Sequence, residues 1–326
     1  MVENQFDALE AFEFAKNKQL KTFVLGGGSN ILVSDEGFDG LVIKVVNKGI
    51  EVLSENADDV LLKVASGEVW DEVVKFAVTN NWWGVENLSH IPGSTGAIAV
   101  QNVGAYGQEA SRVIESVTVF NRETHQILSL AAAACRFGYR RSVFNTSDKG
   151  KYIIFDITFK LVKNGQPNLE YRDLKIKFAD KNPTLDEIRQ AVIEIRDKKF
   201  PFPTEAKKGN AGSFFKNPIL TADDYQDLQT KIVVEFGQGS SDELGKKKFM
   251  DNGQIKIPAA FLIELCGLKD LQSGGAAINK NQPLVIINQS GHATAKDVLG
   301  LANKIRQAVR EKTGVDLKFE PELVGF

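Results

Sequence analysis

A glycine-rich loop places one serine hydroxyl directly before two aromatic residues. In KKGNAGSFFKNP, residues 207–218, small residues precede Ser213, and Phe214 and Phe215 follow it. Such a loop lets the backbone approach another group closely, and buried aromatic rings can anchor it to a core. The hydroxyl of Ser213 would then point at whatever lies opposite. A tight turn is the alternative, because Gly, Asn and Ser dominate turns for local reasons.

A short glycine run, GGGSN at residues 26–30, could bind a phosphate. It does not match the dinucleotide-binding pattern G-x-G-x-x-G, because Ile31 occupies the third glycine position and a strand follows where a helix is needed. It also lacks the Lys-Ser/Thr pair of a P-loop. Its backbone N–H groups could still form an anion-binding nest, and a plain β-turn explains the pattern equally well.

A second glycine-rich segment, IPGSTGAIAVQNVGAYGQE at residues 91–109, is nearly free of charge. A segment with so few polar side chains must satisfy its backbone N–H and C=O groups through a ligand or through dense packing. A large, flat cofactor that carries phosphates would use both the glycines and the apolar residues. A buried packing segment is the alternative.

Hydrophobic periodicity predicts the elements that must position these loops. A helix is expected over residues 5–18, with Phe6, Leu9, Phe12 and Ala15 on one stripe. In the first half of the chain, a second helix is expected at 69–80, strands at 22–25, 31–33, 41–46, 59–64 and 152–161, and extended structure at 115–129.

The second half contains clear helix boundaries. Thr184 and Glu187 form a capping box for a helix that FPFP, residues 200–203, stops, and this proline pair is the predicted hinge between domains. The last helix is expected to begin after Thr294 and to end before Gly314. The first of these two helices is expected to bury Leu185, Ile188, Val192 and Ile195, and the last helix to bury Val298, Leu301, Ile305 and Val309. Further helices are expected near 221–230 and 257–265, and a strand at 283–288.

Composition excludes several classes of protein. A chain of 326 residues with 43% hydrophobic and 25% charged residues predicts two or three globular units. A net charge of −2 with mixed signs argues against a nucleic-acid surface, and no stretch is apolar enough to span a bilayer. The N-terminus lacks the pattern of a signal peptide. Cys135 and Cys266 offer neither a disulfide framework nor a metal-type spacing, so a cytoplasmic location is expected.

Several motifs together resemble one enzyme family. GGGSN, the 91–109 segment, CRFGYRRSVF at 135–144, GNAGSFFKNP and the terminal FEPELV occur in the order and approximate spacing of the UDP-N-acetylenolpyruvoylglucosamine reductases. This resemblance covers nearly the whole chain. It implies an FAD enzyme that uses NADPH to reduce UDP-N-acetylglucosamine enolpyruvate to UDP-N-acetylmuramate, a precursor of peptidoglycan.

The resemblance assigns three catalytic residues. Ser213 is the acid that protonates the enolpyruvyl carbon after hydride transfer, Arg140 in FGYRRS holds the substrate carboxylate, and Glu322 in FEPELV orients groups or aids proton delivery. Without the family, Arg140 would be interpreted as a surface or ion-pair arginine, and Glu322 as an exposed residue near a frayed terminus. Tyr139 would be interpreted as a core aromatic residue.

The resemblance also implies binding residues. LEYRDL at 169–174 resembles the tyrosine-bearing insertion of the first type of this reductase, with Tyr171 closing over the sugar nucleotide. The implied substrate-binding residues are Tyr139, Tyr171, Lys199, Asn217 and Gln282. The implied FAD-binding residues are Gly26, Gly27, Gly28, Ser29, Asn30, Pro92, Gly93, Ser94, Gly96, Gln101, Asn102, Gly104, Ala105 and Tyr106.

Two features depart from the family pattern. The chain begins at MVENQF without the upstream segment of relatives, so the first strands of the flavin domain are expected to be missing. Arg141 stands where many relatives have an acidic residue, so the charge beside Arg140 is expected to differ.

The resulting expectation is an α+β monomer that acts on small molecules. An FAD-binding fold of the vanillyl-alcohol-oxidase/PCMH type would form two subdomains, residues 1–50 and residues 51–199 with 318–326, and an α/β substrate-binding domain would span 200–317. An FAD-dependent sugar or alcohol oxidase of the same fold and a non-catalytic UDP-sugar-binding protein are the alternatives.

Overall fold

The chain divides into two compact units. The computed structural model describes residues 1–179, 181–199, 208–251 and 253–326. Unit 1 comprises residues 1–28 and 38–197, and unit 2 comprises residues 29–37 and 198–326. The predicted hinge at 200–203 lies outside the described residues.

The described residues form both helices and strands. The helices are α1 (Gln5–Asn17), α2 (Trp70–Thr79), α3 (Thr95–Val100), α4 (Arg172–Phe178), α5 (Leu185–Lys199), α6 (Ala222–Phe236), α7 (Gln238–Lys247), α8 (Ala259–Leu265) and α9 (Ala295–Thr313). The strands are β1 (Thr22–Leu25), β2 (Ile31–Val33), β3 (Leu41–Lys44), β4 (Ile50–Glu55), β5 (Asp59–Ala65), β6 (Gly104–Ala105), β7 (Gln108–Glu109), β8 (Ile114–Asn121), β9 (Ile127–Ala131), β10 (Tyr152–Val162), β11 (Asn210–Ser213), β12 (Ile219–Leu220), β13 (Phe249–Asp251), β14 (Gln254–Lys256), β15 (Gln272–Ser273), β16 (Ala276–Ile278), β17 (Val285–Asn288) and β18 (Glu322–Val324).

An antiparallel sheet with the strand order β4-β5-β10-β8-β9 forms the centre of unit 1. Val60, Leu62 and Val64 alternate along β5 and are fully buried, as expected for a strand with one face on a core. Trp70, the first residue of α2, packs against Phe159 of β10 with ring centroids 5.7 Å apart. This core supports the loops that precede and follow α3.

Helix α1 packs against the parallel pair β1 and β3 and against β8. Phe12 stacks on Phe120 with ring centroids 6.1 Å apart, and Ala8 is buried in the same cluster. Ala15 of α1 is also buried. The prediction that Phe6 belongs to the buried stripe is wrong, because Phe6 is 71% exposed. Phe6 lies in the first turn of α1, before the turns that contact the core.

In unit 2, helices pack on a four-stranded sheet with the order β11-β17-β16-β15 and beside a smaller sheet, β12-β14-β13. Leu301, Ile305 and Val309 of α9 are fully buried, as the periodicity predicted. Thr294 caps α9, and Gly314 ends it with a φ of 78°, so both predicted boundaries are confirmed.

The C-terminal tail belongs to unit 2. Strand β18 pairs in parallel with β2, which explains why residues 29–37 group with residues 198–326. Residues 318–326 are predicted from the sequence to complete a flavin subdomain with residues 51–199. The three-part assignment of cofactor and substrate domains stays a prediction.

Candidate active site

Two of the predicted cofactor segments contact each other in unit 1. A Cβ atom on Gly26 would lie 2.5 Å from Ser94 Oγ, and one on Gly27 would lie 2.5 Å from the Cα atom of Gly93. Both distances are far below van der Waals contact. The Ser94 hydroxyl near Gly26 can rotate away, but the atoms near Gly27 are backbone atoms, so glycine is required at position 27. This contact explains why both segments are rich in glycine. The spacing of residues in the sequence does not reveal that the two segments meet.

Four backbone donors lie together at this contact. The N–H groups of Gly27, Gly28, Gly93 and Ser94 donate to no other group in the described parts of the chain. Neighbouring unpaired N–H groups form the kind of surface that binds a phosphate. Ser66 is 2% exposed, and its hydroxyl has no partner among the described residues. These groups fit a cofactor that carries phosphates, such as FAD.

The turn before α2 holds the second segment in place. Thr95 N donates to Glu68 O at 2.8 Å, and Trp70 N donates to Gly93 O at 3.1 Å. Pro92 is exposed at the start of this segment, and Gln101 is the C-cap of α3. The unpaired donors of this segment therefore sit on a backbone that the core fixes.

A tight hairpin follows α3. Strands β6 and β7 pair Gly104 with Glu109 and Ala105 with Gln108. The two connecting residues, Tyr106 and Gly107, have φ values of 48° and 82°, as a two-residue type I′ turn requires. The turn is therefore left-handed at a tyrosine, which is uncommon and is typical of functional sites.

The side chain of Asn102 holds this hairpin rather than facing outward. Its Oδ1 accepts from Ser111 N at 2.9 Å, and its Nδ2 donates to Glu109 Oε2 at 3.1 Å and to Gly138 O at 3.0 Å. Asn102 is fully buried and also left-handed, with a φ of 45°. Its predicted contact with the cofactor can therefore come only from its backbone.

Arg140 lies beside the hairpin. Gly138 and Arg141 exchange two backbone hydrogen bonds, of 3.0 and 3.1 Å, which leaves Tyr139 and Arg140 at the tip of a turn. Arg140 has a φ of 51°, its Nη2 donates to Gly104 O at 2.7 Å, and its guanidinium lies 5.2 Å from the centre of the Tyr139 ring. The structure thus brings the predicted catalytic arginine to a predicted flavin-binding residue.

Tyr106 contacts the predicted substrate loop. Its ring meets that of Tyr171 edge to face, with centroids 5.1 Å apart. Arg196 of α5 lies in the same region, where its Nε donates to His90 O at 2.8 Å. Burial lowers the pKa of Arg196, and the hydrogen bond with Tyr106 partly offsets this effect. Arg196 was not predicted as a site residue, because the apolar face of α5 dominates the pattern of that segment.

A second buried arginine of α5 also went unpredicted. Arg189 makes a bidentate pair with Asp71 of α2, at 2.7 and 2.8 Å, and Asp71 also accepts from His90 N. Burial would raise the pKa of Asp71, but the Arg189 pair and the His90 amide lower it below its ordinary value. Through His90, this pair and Arg196 hold the residue that directly precedes the second glycine segment. No local signal reveals this pair, because its members are 118 residues apart.

In unit 2, Ser213 ends strand β11 directly before a buried aromatic anchor. Phe214 and Phe215 are 0% and 1% exposed, and both pack against Phe319, with ring centroids 5.4 and 5.7 Å apart. Ser213 itself is partly exposed, and Gly212 before it has a φ of 70°. The anchoring role proposed for the two phenylalanines is confirmed, so the hydroxyl is carried by a rigid strand end.

The tail that carries Glu322 is held on two sides. Glu320 N donates to Phe214 O at 3.0 Å, which joins the tail to the end of β11. On the other side Glu322 N donates to Asn30 O at 3.0 Å, and Asn30 Nδ2 donates to Glu320 O at 3.3 Å. The structure thus brings the predicted flavin-binding residue Asn30, adjacent in sequence to Ser29, to the strand of Glu322.

Asp35 fixes the same assembly to helix α9. Its two carboxylate oxygens accept from Ala295 N at 2.7 Å and from Lys296 N at 3.1 Å. An acidic side chain at a helix N-terminus satisfies unpaired N–H groups and interacts favourably with the helix dipole. Strand β2, and with it β18, is therefore tied to the longest helix of unit 2. The capping role of Asp35 was not predicted, because its partners are about 260 positions away in the chain.

The remaining predicted substrate residues also lie in unit 2. Asn217 Oδ1 accepts from Ala259 N at 2.9 Å and so caps α8. Gln282 lies in the turn before β17, where its N–H donates to Asn279 Oδ1 at 3.2 Å. Lys199 is the last residue of α5. Their contacts with a substrate stay predictions.

None of the helices in the described residues combines the length and apolarity needed to cross a membrane. In the same part of the chain, no group of three or more His, Cys, Asp or Glu side chains is arranged to hold a metal ion.

Two family models match the chain. The model of the C-terminal domain of UDP-N-acetylenolpyruvoylglucosamine reductase matches residues 203–324, and an FAD-binding-domain model matches residues 1–129. Three curated relatives carry the name UDP-N-acetylenolpyruvoylglucosamine reductase. The protein from Flavobacterium johnsoniae is 38% identical over 98% of this chain and 94% of its own length; that from Salmonella choleraesuis is 40% identical over 99% and 90%; and that from Neisseria gonorrhoeae is 40% identical over 91% and 83%.

A solved structure shares the fold. The UDP-N-acetylenolpyruvylglucosamine reductase from Thermus caldophilus aligns with 99% of this chain and 90% of its own, with a TM-score of 0.66 and 24% identity. This similarity and the FAD-binding model confirm the predicted α+β class and the predicted FAD-binding fold. With identities near 40% over almost the full length, the chain belongs to the UDP-N-acetylenolpyruvoylglucosamine reductase family.

Proposed function

We propose that this protein uses NADPH and FAD to reduce UDP-N-acetylglucosamine enolpyruvate to UDP-N-acetylmuramate, a step in the synthesis of peptidoglycan precursors. The observation that carries the proposal is the match of both an FAD-binding model and a reductase C-terminal model to one chain. The two glycine segments that meet at Gly27 and Gly93 support it, because their unpaired N–H groups suit the phosphates of the cofactor.

When bound, FAD supplies the hydride that it receives from NADPH. Hydride addition to the terminal carbon of the enolpyruvyl double bond leaves negative charge on the carbon next to the carboxylate. The guanidinium of Arg140 binds that carboxylate and stabilises the charge. The proton that completes the reduction comes from the Ser213 hydroxyl, so the double bond gains one hydride and one proton.

Positioning supports these roles. Ser213 ends a strand whose next two residues are buried, and the tail of Glu322 is bonded to the same segment through Phe214. Glu322 then orients the acid or returns a proton to it. In unit 1, Arg140 is held in a left-handed turn beside Gly104. Such rigid placement favours a reaction that must align a donor and an acceptor.

The test follows the flavin colour of the purified protein. NADPH is expected to bleach the flavin, and the enolpyruvyl sugar is expected to restore its colour under anaerobic conditions. Ser213→Ala should keep reduction by NADPH and lose about 10² to 10⁴ in the rate of reoxidation by the enolpyruvyl sugar, because it removes only the general acid. Ser240→Ala, which removes a hydroxyl that bonds Phe236 O in the same unit, is the matched control.

Three outcomes would contradict the proposal. Oxygen-dependent turnover of a simple sugar or alcohol would indicate an oxidase, and colourless protein that still binds a UDP-sugar would indicate a binding protein. Wild-type reoxidation rates in Ser213→Ala would remove the serine from the mechanism.

We also propose that the enzyme is a cytoplasmic monomer. Its substrates are small molecules, and its two buried cysteines suit a reducing compartment. Light scattering on the eluted holoprotein tests the oligomeric state, and a mass near twice 35.9 kDa would contradict a monomer.

A further inference from the structure

A buried asparagine of unit 1 joins the Tyr106 turn to the tyrosine-bearing loop. Asn87, in the short 3-10 helix Glu86–Leu88, is 0% exposed. Its side-chain Nδ2 donates to Tyr106 O at 2.8 Å and to Asn168 O at 2.9 Å. One amide group therefore binds two carbonyl groups that are 62 positions apart in the chain.

Asn168 adds a reciprocal bond. Its Nδ2 donates to Gly107 O at 2.9 Å, and its backbone carbonyl accepts from Asn87. Three residues later, Tyr171 meets Tyr106 edge to face. Residues 168–171, which we call the Tyr171 segment, are thus attached to the Tyr106–Gly107 turn at three points.

The chemistry of Asn87 suits this role. Both partners are carbonyl oxygens, so the amide nitrogen must face them, and a neutral side chain of this size that offers two donors from one atom is an asparagine. The orientation leaves Asn87 Oδ1 buried without a hydrogen-bond partner among the described residues. An unpaired buried acceptor is unfavourable. The two hydrogen bonds that Nδ2 donates therefore offset the cost of leaving Oδ1 without a partner.

Hydrogen bonds that involve Gln108 and Glu86 hold the backbone of Asn87 in place. Its backbone N–H donates to Gln108 Oε1 at 3.0 Å, and Gln108 Nε2 donates to the buried Glu86 Oε1 at 3.3 Å. Glu86 Oε2 in turn accepts from Gly84 N at 2.7 Å. This network keeps Asn87 in register with the β6–β7 hairpin.

We propose that Asn87 is a positioning residue, which clamps the Tyr171 segment to the Tyr106–Gly107 turn and thereby sets the affinity for the sugar nucleotide. The inference rests on the proposed function and on two roles that the family resemblance implies, in which Tyr171 covers that ligand and Tyr106 contacts the flavin. Asn87 touches neither ligand in this scheme and acts through the two carbonyls. The clamp is expected to govern retention of the sugar nucleotide and to leave flavin reduction by NADPH unchanged.

The main test uses Asn168→Ala, because this partly exposed position can lose its side chain without disturbing the core. The variant removes the bond to Gly107 O and keeps the Asn168 carbonyl that Asn87 binds. It also removes the long bond of 3.4 Å that Asn168 Oδ1 accepts from Glu170 N within the same segment. Loss of the bond to Gly107 is expected to raise the Kd for UDP-N-acetylglucosamine and the KM for the enolpyruvyl sugar about three- to tenfold. Flavin content, kcat and the KM for NADPH should stay at wild-type values. Asn87→Asp, which keeps the shape and removes both donors, should give a larger change in the same constants.

A double variant distinguishes an effect on the position of Tyr171 from a general loss of stability. With Tyr171→Ala already present, Asn168→Ala should produce no further rise in Kd, because the residue that the clamp positions is gone. Asn56→Ala, which removes a local asparagine turn at Asp58 and Asp59 in the same unit, is the matched control and should leave Kd unchanged.

Three results would overturn the inference: an unchanged Kd in folded Asn87→Asp, an equal rise for Asn168→Ala with and without Tyr171→Ala, or loss of flavin from Asn168→Ala. Calorimetry measures Kd without turnover. A wild-type protein that binds the UDP-sugar but does not reduce the enolpyruvyl sugar would therefore refute the proposed function. The comparison of Kd values would still show whether Asn87 positions the Tyr171 segment. A wild-type protein that does not bind the UDP-sugar would overturn both.

Discussion

Replacement of Gly27 by alanine is predicted to weaken the binding of FAD. The added Cβ atom would lie 2.5 Å from Gly93 Cα and 2.9 Å from Ser94 N. These neighbours are backbone atoms, which cannot rotate away as a flexible side chain would. The two segments must therefore separate, and the unpaired N–H groups of Gly27, Gly28, Gly93 and Ser94 would no longer face the phosphates together.

The size of the effect follows from the overlap. An ordinary contact begins at 3.4 Å, so the segments must part by roughly one ångström. Overpacking of this kind costs about 1–3 kcal/mol. If the bound state carries that penalty, the Kd for FAD rises by about 5- to 150-fold.

Fluorescence titration of the apoprotein with FAD measures this Kd, and thermal unfolding of the apoprotein reports whether the fold survives. Gly300→Ala is the control, because a Cβ atom at Gly300 of α9 would meet nothing within 4 Å. Alanine there should raise the free energy of unfolding by about 0.5–1 kcal/mol and leave the Kd unchanged. A wild-type Kd in Gly27→Ala would refute the reasoning, since the close approach of the two segments would then have no part in cofactor binding.

Three further predictions concern stability and reactivity. Asp35→Ala should lower the free energy of unfolding in urea by about 1 kcal/mol, because α9 loses a cap, and an unchanged midpoint would contradict that role. The pKa of Asp71 is lowered in the folded state, so its stabilising effect is present above its ordinary value of 3.8 and is lost as pH falls through the folded pKa. Asp71→Asn should therefore flatten the fall in stability below about pH 4, whereas an equally steep fall would exclude Asp71 as its source. Burial raises the pKa of the Cys135 and Cys266 thiols to about 11, so a thiol reagent at pH 8 should label neither cysteine until the protein is unfolded, and rapid labelling of the native protein would contradict their burial.

Local patterns predicted the longer helices, α1, α5, α6 and α9, and strands such as β5 and β10. Alternation along β5 and the apolar face of α9 follow directly from the periods of strand and helix, and the caps at Thr294 and Gly314 set the ends of α9. Helix α7 was missed, because QGSSDELGKK contains two glycines and few apolar residues. It forms because Leu244 and Ser241 are buried in unit 2, so packing overrides weak propensity.

The site was predicted unevenly. The residues of the motifs were identified through a family resemblance, whereas the supporting residues Asn87, Asp71, Arg189 and Arg196 carry no motif of their own. Each of these four bonds a partner distant in sequence, such as Asn168 for Asn87 and Asp71 for Arg189. A single sequence contains no local signal for such pairs.

The amino-acid sequence by itself determined where helices such as α9 begin and end, which of their faces are apolar, and which loops are glycine-rich, because these properties depend on neighbours a few positions away. Only the tertiary structure decided that Gly27 meets Gly93, that β2 pairs with β18 and that Asp35 caps α9. The physical reason is that such contacts depend on how the chain returns to itself and on the packing of whole elements. The backbone positions of the site are set by those contacts, and local propensity does not specify them.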